Sequence, residues 1–379
     1  MDNIQVPFHN LLGIPGNIRE EIDEAAMSVI HSGHYLFGKE TAKFEAEFAA
    51  FTRTRHCVSL DNGTNALEIA LRALGIKPGD EVITVPNAGG YSTIAILAVG
   101  AVPVYADVNY ETMNMDVSSF KSLITLNTRA VIVTHLYGRP AEIEIIAVIA
   151  KVAHIAVIED CSHAHGATID GKMVGSFGDI SCFSFYPTKI IGALGDAGAI
   201  VTWSPVIAEK ARTLRQYGWN KLSKYVINYP GGMNSRMDEI QAAALRVKLK
   251  YFDEIRQMRD RIACIYNTSF RNKPGIKIPS NGDPNHYTPY VYVVRVCEQC
   301  RPVFLGQLAK DGIETSIHYP VLDYEYNPLR ERWTGRTPVA HSVCQEVVSL
   351  PLYPGMGLPF IQAVTKSVIK ALNLINSLE

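Results

Sequence analysis

Neither sign of charge is in excess in this sequence. Its 36 lysines and arginines face 37 aspartates and glutamates, a formal net charge of −1, so no basic field is on offer for nucleic acid or an anionic membrane surface. Long apolar runs are missing too, and no stretch approaches the length of a membrane span. The first residues, MDNIQVPFHNLLGIPG, have neither the basic nor the apolar region of a secretion signal. Cysteines are few, seven scattered along the chain, the pattern of reduced thiols in a cytoplasmic protein. Cys297 and Cys300 have the spacing of a metal pair, but no second pair and no nearby histidine completes a site. They read as the frayed end of a strand, and no metal is expected. Internal repeats and low-complexity tracts are absent. What remains is ordinary globular composition, 47% apolar and 19% charged over 379 residues, enough for a large core and two domains.

Along the chain, residues 17–30 carry apolar positions at helical spacing, Ser32-Gly33 ends that helix, and 41–54 forms a second. From His56 the pattern alternates, with strands expected at 56–60, 81–85, 102–108, 130–138 and 155–160 and helices between them. That alternation predicts an α/β fold with a mostly parallel sheet flanked by helices. Ligands of such sheets bind beyond the carboxyl ends of the strands. After a helix at 205–218, a helical pattern opens at Ser235 and runs to Phe270, with Ile255, Met258, Ile262 and Tyr266 along one face. It reads as one long connector. Strand-like segments at 290–296, 313–319 and 347–353, with helices at 301–312 and 359–378, make a smaller α+β domain. The expected division is therefore a large domain over 1–235, a connecting helix over 236–271 and a small domain over 272–379.

The chemistry centres on SCFSFYPTKIIGALGDAGAIVT, residues 181–202. A strand-like run stops at Pro187, Lys189 follows, and a glycine-rich turn leads to a second strand-like run from Gly198. Burying an ammonium is costly, and a lysine in such a place often serves as an amine with a lowered pKa. Taken alone, Lys189 is better read as a solvated loop lysine. Upstream residues change this. Asp61-Asn62-Gly63-Thr64 opens a helix whose free N–H groups suit a phosphate, although the same residues also start ordinary helices. Asp160 ends a strand; a protonated ring nitrogen or the capping of the next turn would equally satisfy its buried carboxylate. Ser184 adds a hydroxyl. A phosphate cradle, a carboxylate and a lysine in this order describe a pyridoxal phosphate site. There the protonated ring absorbs the electrons of a substrate carbanion, and the lysine holds the aldehyde and moves a proton.

Across nearly its whole length the chain resembles the DegT/StrS-type sugar aminotransferases, which are fold type I pyridoxal phosphate enzymes. The resemblance is carried by VPF, SGHYLFGKETAKFEAEFA, NGTNALEIAL, VIEDCSHAHGA, SFYPTKIIGALGDAGAIVT, RQYGW with Lys224-Tyr225, NSRMDEIQAAALRVKL, IHYPV and SLPLYP. It implies an aspartate aminotransferase-like large domain and Lys189 as the covalent anchor of the cofactor. It also implies Asp160 against the pyridine nitrogen, Gly63, Thr64 and Ser184 on the phosphate, and Asn234 reaching the phosphate in the neighbouring subunit of a homodimer. Tyr186, His318 and Tyr319 are similar in position to residues that meet the sugar. His163 stands where the family commonly has a glutamine near the cofactor's phenolic oxygen, and a histidine can donate the same hydrogen bond; His165 reads as structural. In VPNAGGYST, one residue shorter than in the family, Gly90 and Tyr91 compete for the slot of the ring-stacking aromatic, and Tyr91 is taken.

Relatives with histidine in place of the lysine are dehydratases, so Lys189 implies amino transfer. The loop GALGDAGA resembles members that aminate carbon 3 of the sugar. The implied reaction passes an amino group from L-glutamate, or glutamine, to a keto sugar on a nucleoside diphosphate, a dTDP-3-keto-6-deoxyhexose, in deoxyamino-sugar biosynthesis in the cytoplasm. A 4-keto nucleotide sugar or a keto-inositol is the alternative acceptor. A DNA-binding regulator on an inactive enzyme fold is the alternative of another class; the intact Asp160–Lys189 pair and the lack of a basic patch oppose it.

Overall fold

The computed structural model describes residues 5–220, 223, 225–279, 287–325 and 335–377; Lys224 of the Lys224-Tyr225 pair lies outside the described residues. The chain opens with α1 (Gly16–Ser32) and α2 (Lys39–Phe51). Gly33 ends α1 in the left-handed region at φ 68° and donates its N–H to Ile30. Alternation then produces β1 (His56–Leu60), α3 (Gly63–Ala73), β2 (Glu81–Thr84), α4 (Tyr91–Ala98), β3 (Val102–Tyr105), α5 (Val117–Ser122) and β4 (Thr128–Thr134). It continues through α6 (Ile143–Val152), β5 (Ala156–Asp160), a small hairpin of β6 (Thr168–Ile169) and β7 (Lys172–Met173), β8 (Ile180–Ser184), β9 (Gly198–Thr202) and α7 (Pro205–Leu214).

The main sheet has seven strands in the order β1-β9-β8-β5-β4-β2-β3. Only β9 is reversed, running antiparallel to both β1 and β8, while the other neighbours are parallel. The strands read as continuous apolar runs because both faces are covered. Val131, Val133, Val157, Phe183 and Val201 enter one core; Ala130, Ile132, Ile158, Cys182 and Ile200 enter the other. Since β1, β5 and β8 run in one direction, the residues that follow them arrive at one edge of the sheet.

The single connector expected over 236–271 is two helices, α8 (Glu239–Lys250) and α9 (Phe252–Phe270), because the chain leaves helical geometry at Tyr251 (φ −99°, ψ 18°). Two packing demands differ on either side of that break. On the first side α8 lies on α1 and α2: Arg246 pairs with Glu40 and Glu47, and Glu239 accepts the N–H groups of Gly38, Glu40 and Thr41, capping α2. Beyond the break, α9 turns Ile262, Tyr266 and Phe270 into a third core. That core also collects β10 (Tyr292–Arg295), α10 (Arg301–Lys310), β11 (Val347–Leu350) and α12 (Leu358–Asn376), with the helix Pro338–Glu346, α11, leading into β11. β10 and β11 pair antiparallel. The strand expected at 313–319 makes only single bridges, Ile313 to Val6 and Ser316 to Ser349.

Two readings of composition need correction. By length and composition α12 could cross a membrane, yet Ile361, Val364, Val368, Ala371, Leu372 and Ile375 are buried in the third core, so it is a core helix here. And the cysteines are not all reduced: Cys297 and Cys300 form a disulfide. Glu298–Cys300 is a 3₁₀ turn, not a strand end, and such a turn brings residues three apart to one side.

Candidate active site

The parallel strands end on a cavity of about 470 Å³, within the roughly 300–1,000 Å³ of small-molecule sites. Of the residues singled out from the sequence, Gly63, Thr64, Tyr91, Asp160, His163, Ser184, Tyr186, Lys189, His318 and Tyr319 line it. Asn234 does not; it is exposed, and its backbone bridges to Gln216.

At the end of β1 the carboxylate of Asp61 is turned to Asn65 Nδ2 at 2.8 Å and to Ser235 Oγ at 2.5 Å. Asn62 caps α3, its Oδ1 accepting the Asn65 N–H at 2.8 Å. The N–H groups of Gly63 and Thr64 therefore remain without helical partners at the positive end of the helix dipole. A Cβ on residue 63 would stand 2.7 Å from Ser184 Cβ and 3.4 Å from Ser162 Oγ. Only glycine lets the helix end approach β8 this closely.

Asp160, 5% exposed, lines the cavity from the end of β5, with Oδ1 accepting the Ser162 N–H at 3.1 Å. Just beneath it, His135, Glu159 and Cys161 lie close enough together to suggest a metal site. The hydrogen bonds argue otherwise. Glu159 accepts the N–H groups of Gly175, Phe177 and Gly178, the Ser181 hydroxyl, and His135 Nε2 at 3.0 Å. His135 Nδ1 accepts the Ala141 N–H, so Nε2 is the donor of that last bond. Burial pushes the Glu159 carboxyl up, but the His135 bond and the backbone donors outweigh it and leave its pKa below the ordinary value. This carboxylate anchors the loop after β7 and has no lone pair left for an ion.

His163 owes its protonation state to the same kind of accounting. Nδ1 accepts the Tyr137 N–H at 3.3 Å, and burial, then the charge of Lys189, holds the ring far below its ordinary pKa. It is therefore a neutral imidazole with its proton on Nε2, which lies 3.4 Å from Tyr319 Oη. The Tyr290 ring lies 4.4 Å from His163, tilted by 30°, and carries Lys189 Nζ 4.4 Å from its centroid. His318 Nδ1 lies 2.9 Å from Ser349 Oγ; burial and Lys189 push it down to about 4, and burial raises the Tyr319 phenol. His165 stays out of the cavity: its Nδ1 accepts the Ile191 N–H, its ring packs against Phe183 and Phe185, and burial lowers it to about 3. Tyr91 opens α4 behind Gly90 at φ 84°, its ring 6.3 Å from Tyr319.

Sequence reasoning missed Phe8, His9, Tyr290 and Ser316, which also line the cavity. The first two arrive because the amino-terminal segment is strapped to the far end of the chain: the Val6 N–H bonds to Gly312, and the Phe8 N–H to Glu314 at 2.9 Å. The VPF motif was a visible signal without a location. Tyr290 sits in an aromatic run that looks like ordinary strand core.

These residues fit pyridoxal phosphate. The glycine-limited gap between α3 and β8 offers free N–H groups and two hydroxyls, Thr64 and Ser184, to a phosphate. An acceptor carboxylate, a neutral N–H donor and a primary amine line the same cavity. Residues 16–369 match the family model described as the DegT/DnrJ/EryC1/StrS aminotransferase family. The chain is 41% identical over 363 residues to the dTDP-3-amino-3,6-dideoxy-alpha-D-galactopyranose transaminase of Aneurinibacillus thermoaerophilus, covering 96% of this chain and 98% of that protein. Among solved structures, S. venezuelae DesV in complex with a ketimine intermediate aligns at a TM-score of 0.91 and 37% identity, covering 97% of this chain and 98% of that one. NtdA from Bacillus subtilis, with bound cofactor PMP, aligns at a TM-score of 0.91 and 29% identity over 97% of this chain and 85% of its own. On that match over residues 16–369 and on these relatives, this chain is a member of the DegT/DnrJ/EryC1/StrS aminotransferase family.

Proposed function

We propose that this aminotransferase binds pyridoxal 5'-phosphate and moves an amino group from L-glutamate to carbon 3 of a keto sugar on a nucleoside diphosphate, a dTDP-3-keto-6-deoxyhexose. The observation that carries the reading is the convergence of Lys189, Asp160 and the free end of α3 on one cavity. When bound, the cofactor supplies an aldehyde carbon and an electron-withdrawing ring. Lys189 Nζ would hold that carbon, and as a free amine it would be the base that moves a proton within the cavity. Asp160 keeps a proton on the ring nitrogen. Gly63, Thr64 and Ser184 hold the phosphate, and His163 donates from Nε2 to the phenolic oxygen. Tyr91 packs on the ring. Tyr186, His318 and Tyr319 meet the sugar, the last two as neutral groups. Asn234, exposed and away from its own cavity, reaches the phosphate of a second copy in a homodimer. The acceptor assignment draws on the transaminase from A. thermoaerophilus, whose name places nitrogen at carbon 3 of a dTDP sugar.

The test is to incubate the purified protein with glutamate and a panel of 3-keto and 4-keto nucleotide sugars and to read the products by mass and NMR. Nitrogen at carbon 3 is expected. Nitrogen only at carbon 4 would overturn the acceptor assignment, and no amino sugar from any acceptor would overturn the reading.

A further inference from the structure

Behind Lys189 lies a second, smaller chamber of about 30 Å³. His9, Thr188 and Lys189 line both it and the main cavity, so these side chains form the partition. Its remaining polar wall includes Lys248, Arg259 and Tyr353, and among the described residues no carboxylate lines it. Arg259 and Tyr353 are 3% and 2% exposed. Arg259 Nη1 donates to the carbonyls of Tyr290 and Leu352, but among the described residues Nε has no partner, and neither has Tyr353 Oη. Lys248 Nζ donates to the Gly192 carbonyl at 2.5 Å, which leaves it two further N–H groups. Two cations, Lys248 and Arg259, and two unspent, buried donors, Arg259 Nε and Tyr353 Oη, thus line one small space with no carboxylate among the described residues. Buried donors and like charges in that state are costly unless something answers them.

We propose that this chamber binds one small monovalent anion of halide size, held by Arg259 Nε–H, the Tyr353 hydroxyl and the Lys248 ammonium. Size selects the class. A water needs roughly 10–15 Å³ of such space, so about 30 Å³ takes a single halide and excludes an amino acid or a phosphate ester. Charge selects it as well, since a water would satisfy the donors and leave the cations unanswered. The neighbouring groups register the strain: burial and Arg259 push Lys248 down to about 8, and burial, Arg259 and Lys189 push His9 down to about 4. An anion here would sit on the far side of Lys189 from the main cavity and favour its charged form. The inference rests on the lining of the chamber and not on the transamination reading.

Bromide is the probe. In crystals of the full chain soaked in bromide, the expected result is one anomalous peak per chain in the chamber. When chloride is titrated into protein prepared without it, ³⁵Cl line broadening should report a saturable site, and Tyr353→Phe should weaken it about tenfold, the size of one hydrogen bond to a charge. Lys248→Met should weaken it at least as much. Density without anomalous signal, which is water, overturns the proposal. So does chloride affinity unchanged in Tyr353→Phe, a variant that removes one hydroxyl and keeps the packing; a thermal melt confirms that it folds.

Discussion

At the scale of single residues, burial and then the charge of Lys189 shape the electrostatics around the cavity. That charge contributes to keeping His9, His163, His165 and His318 neutral. Replacing the lysine, Lys189→Ala, should abolish turnover, measured as amino sugar formed, while leaving the melting temperature within a few degrees. Persistent full activity would remove the residue from the mechanism. His163 allows a finer test, because only its Nε2–H is offered to the ligand. His163→Gln keeps a donor and should retain most activity; His163→Phe should lose about tenfold or more in kcat, the cost of one hydrogen bond to a charged oxygen. Equal losses in both would contradict the donor role. The slot of His163 was legible from its distance to Asp160. Its tautomer was not, since that depends on the Tyr137 N–H, 26 residues away in the chain.

At the scale of elements, the phosphate end of the site is a contact between a helix and a strand. Gly63→Ala forces a Cβ against Ser184 and should push α3 off β8. A cofactor titration followed by absorbance should show at least tenfold weaker binding. A second contact ties the carboxyl-terminal segment to α4. Asp323 donates its N–H to the Pro86 carbonyl at 2.8 Å and accepts the Thr93 hydroxyl at 2.6 Å. Burial, opposed by Thr93 and the Gly90 N–H, raises its carboxyl to about 7. Between about pH 4 and 7 the folded protein keeps a proton that the unfolded chain has released. Stability contributed here is therefore complete below the unfolded pKa, falls as pH rises through that window, and is flat above it. Asp323→Asn should flatten that slope in melts recorded from pH 4 to 8; parallel curves for the two proteins would contradict it. The sheet strands were readable because both faces are apolar. The break at Tyr251 was hidden, since apolar spacing runs on through it while the packing partners change, and α11 carries too short a pattern to separate from the strand that follows.

At the scale of the molecule, the proposed small domain is supported by a core of its own, built from α9, α10, α12 and one face of β10 and β11, while Val293, Leu322 and Val347 pack into a core of the sheet and join it to the large domain. The proposed homodimer is supported by the consecutive exposure of Tyr35, Leu36 and Phe37 at 53%, 40% and 43%, an apolar patch that suits a partner surface. Sedimentation should give a dimer, and Asn234→Ala should lower cofactor retention several-fold on dialysis. A monomer that keeps its cofactor would contradict shared sites. Motifs spread over the whole length made the family legible. The identity of the sugar was not, because the cavity wall is completed by residues such as Phe8 and His9, which the fold brings in from the amino-terminal segment.

The central claim is that the amine of residue 189 is covalently joined to a vitamin B6 aldehyde. Borohydride reduction of the cofactor-loaded protein, followed by digestion and peptide mass spectrometry, tests it most directly. The account predicts one pyridoxyl group, on Lys189. A pyridoxyl group on another lysine, or none in loaded protein, would contradict it.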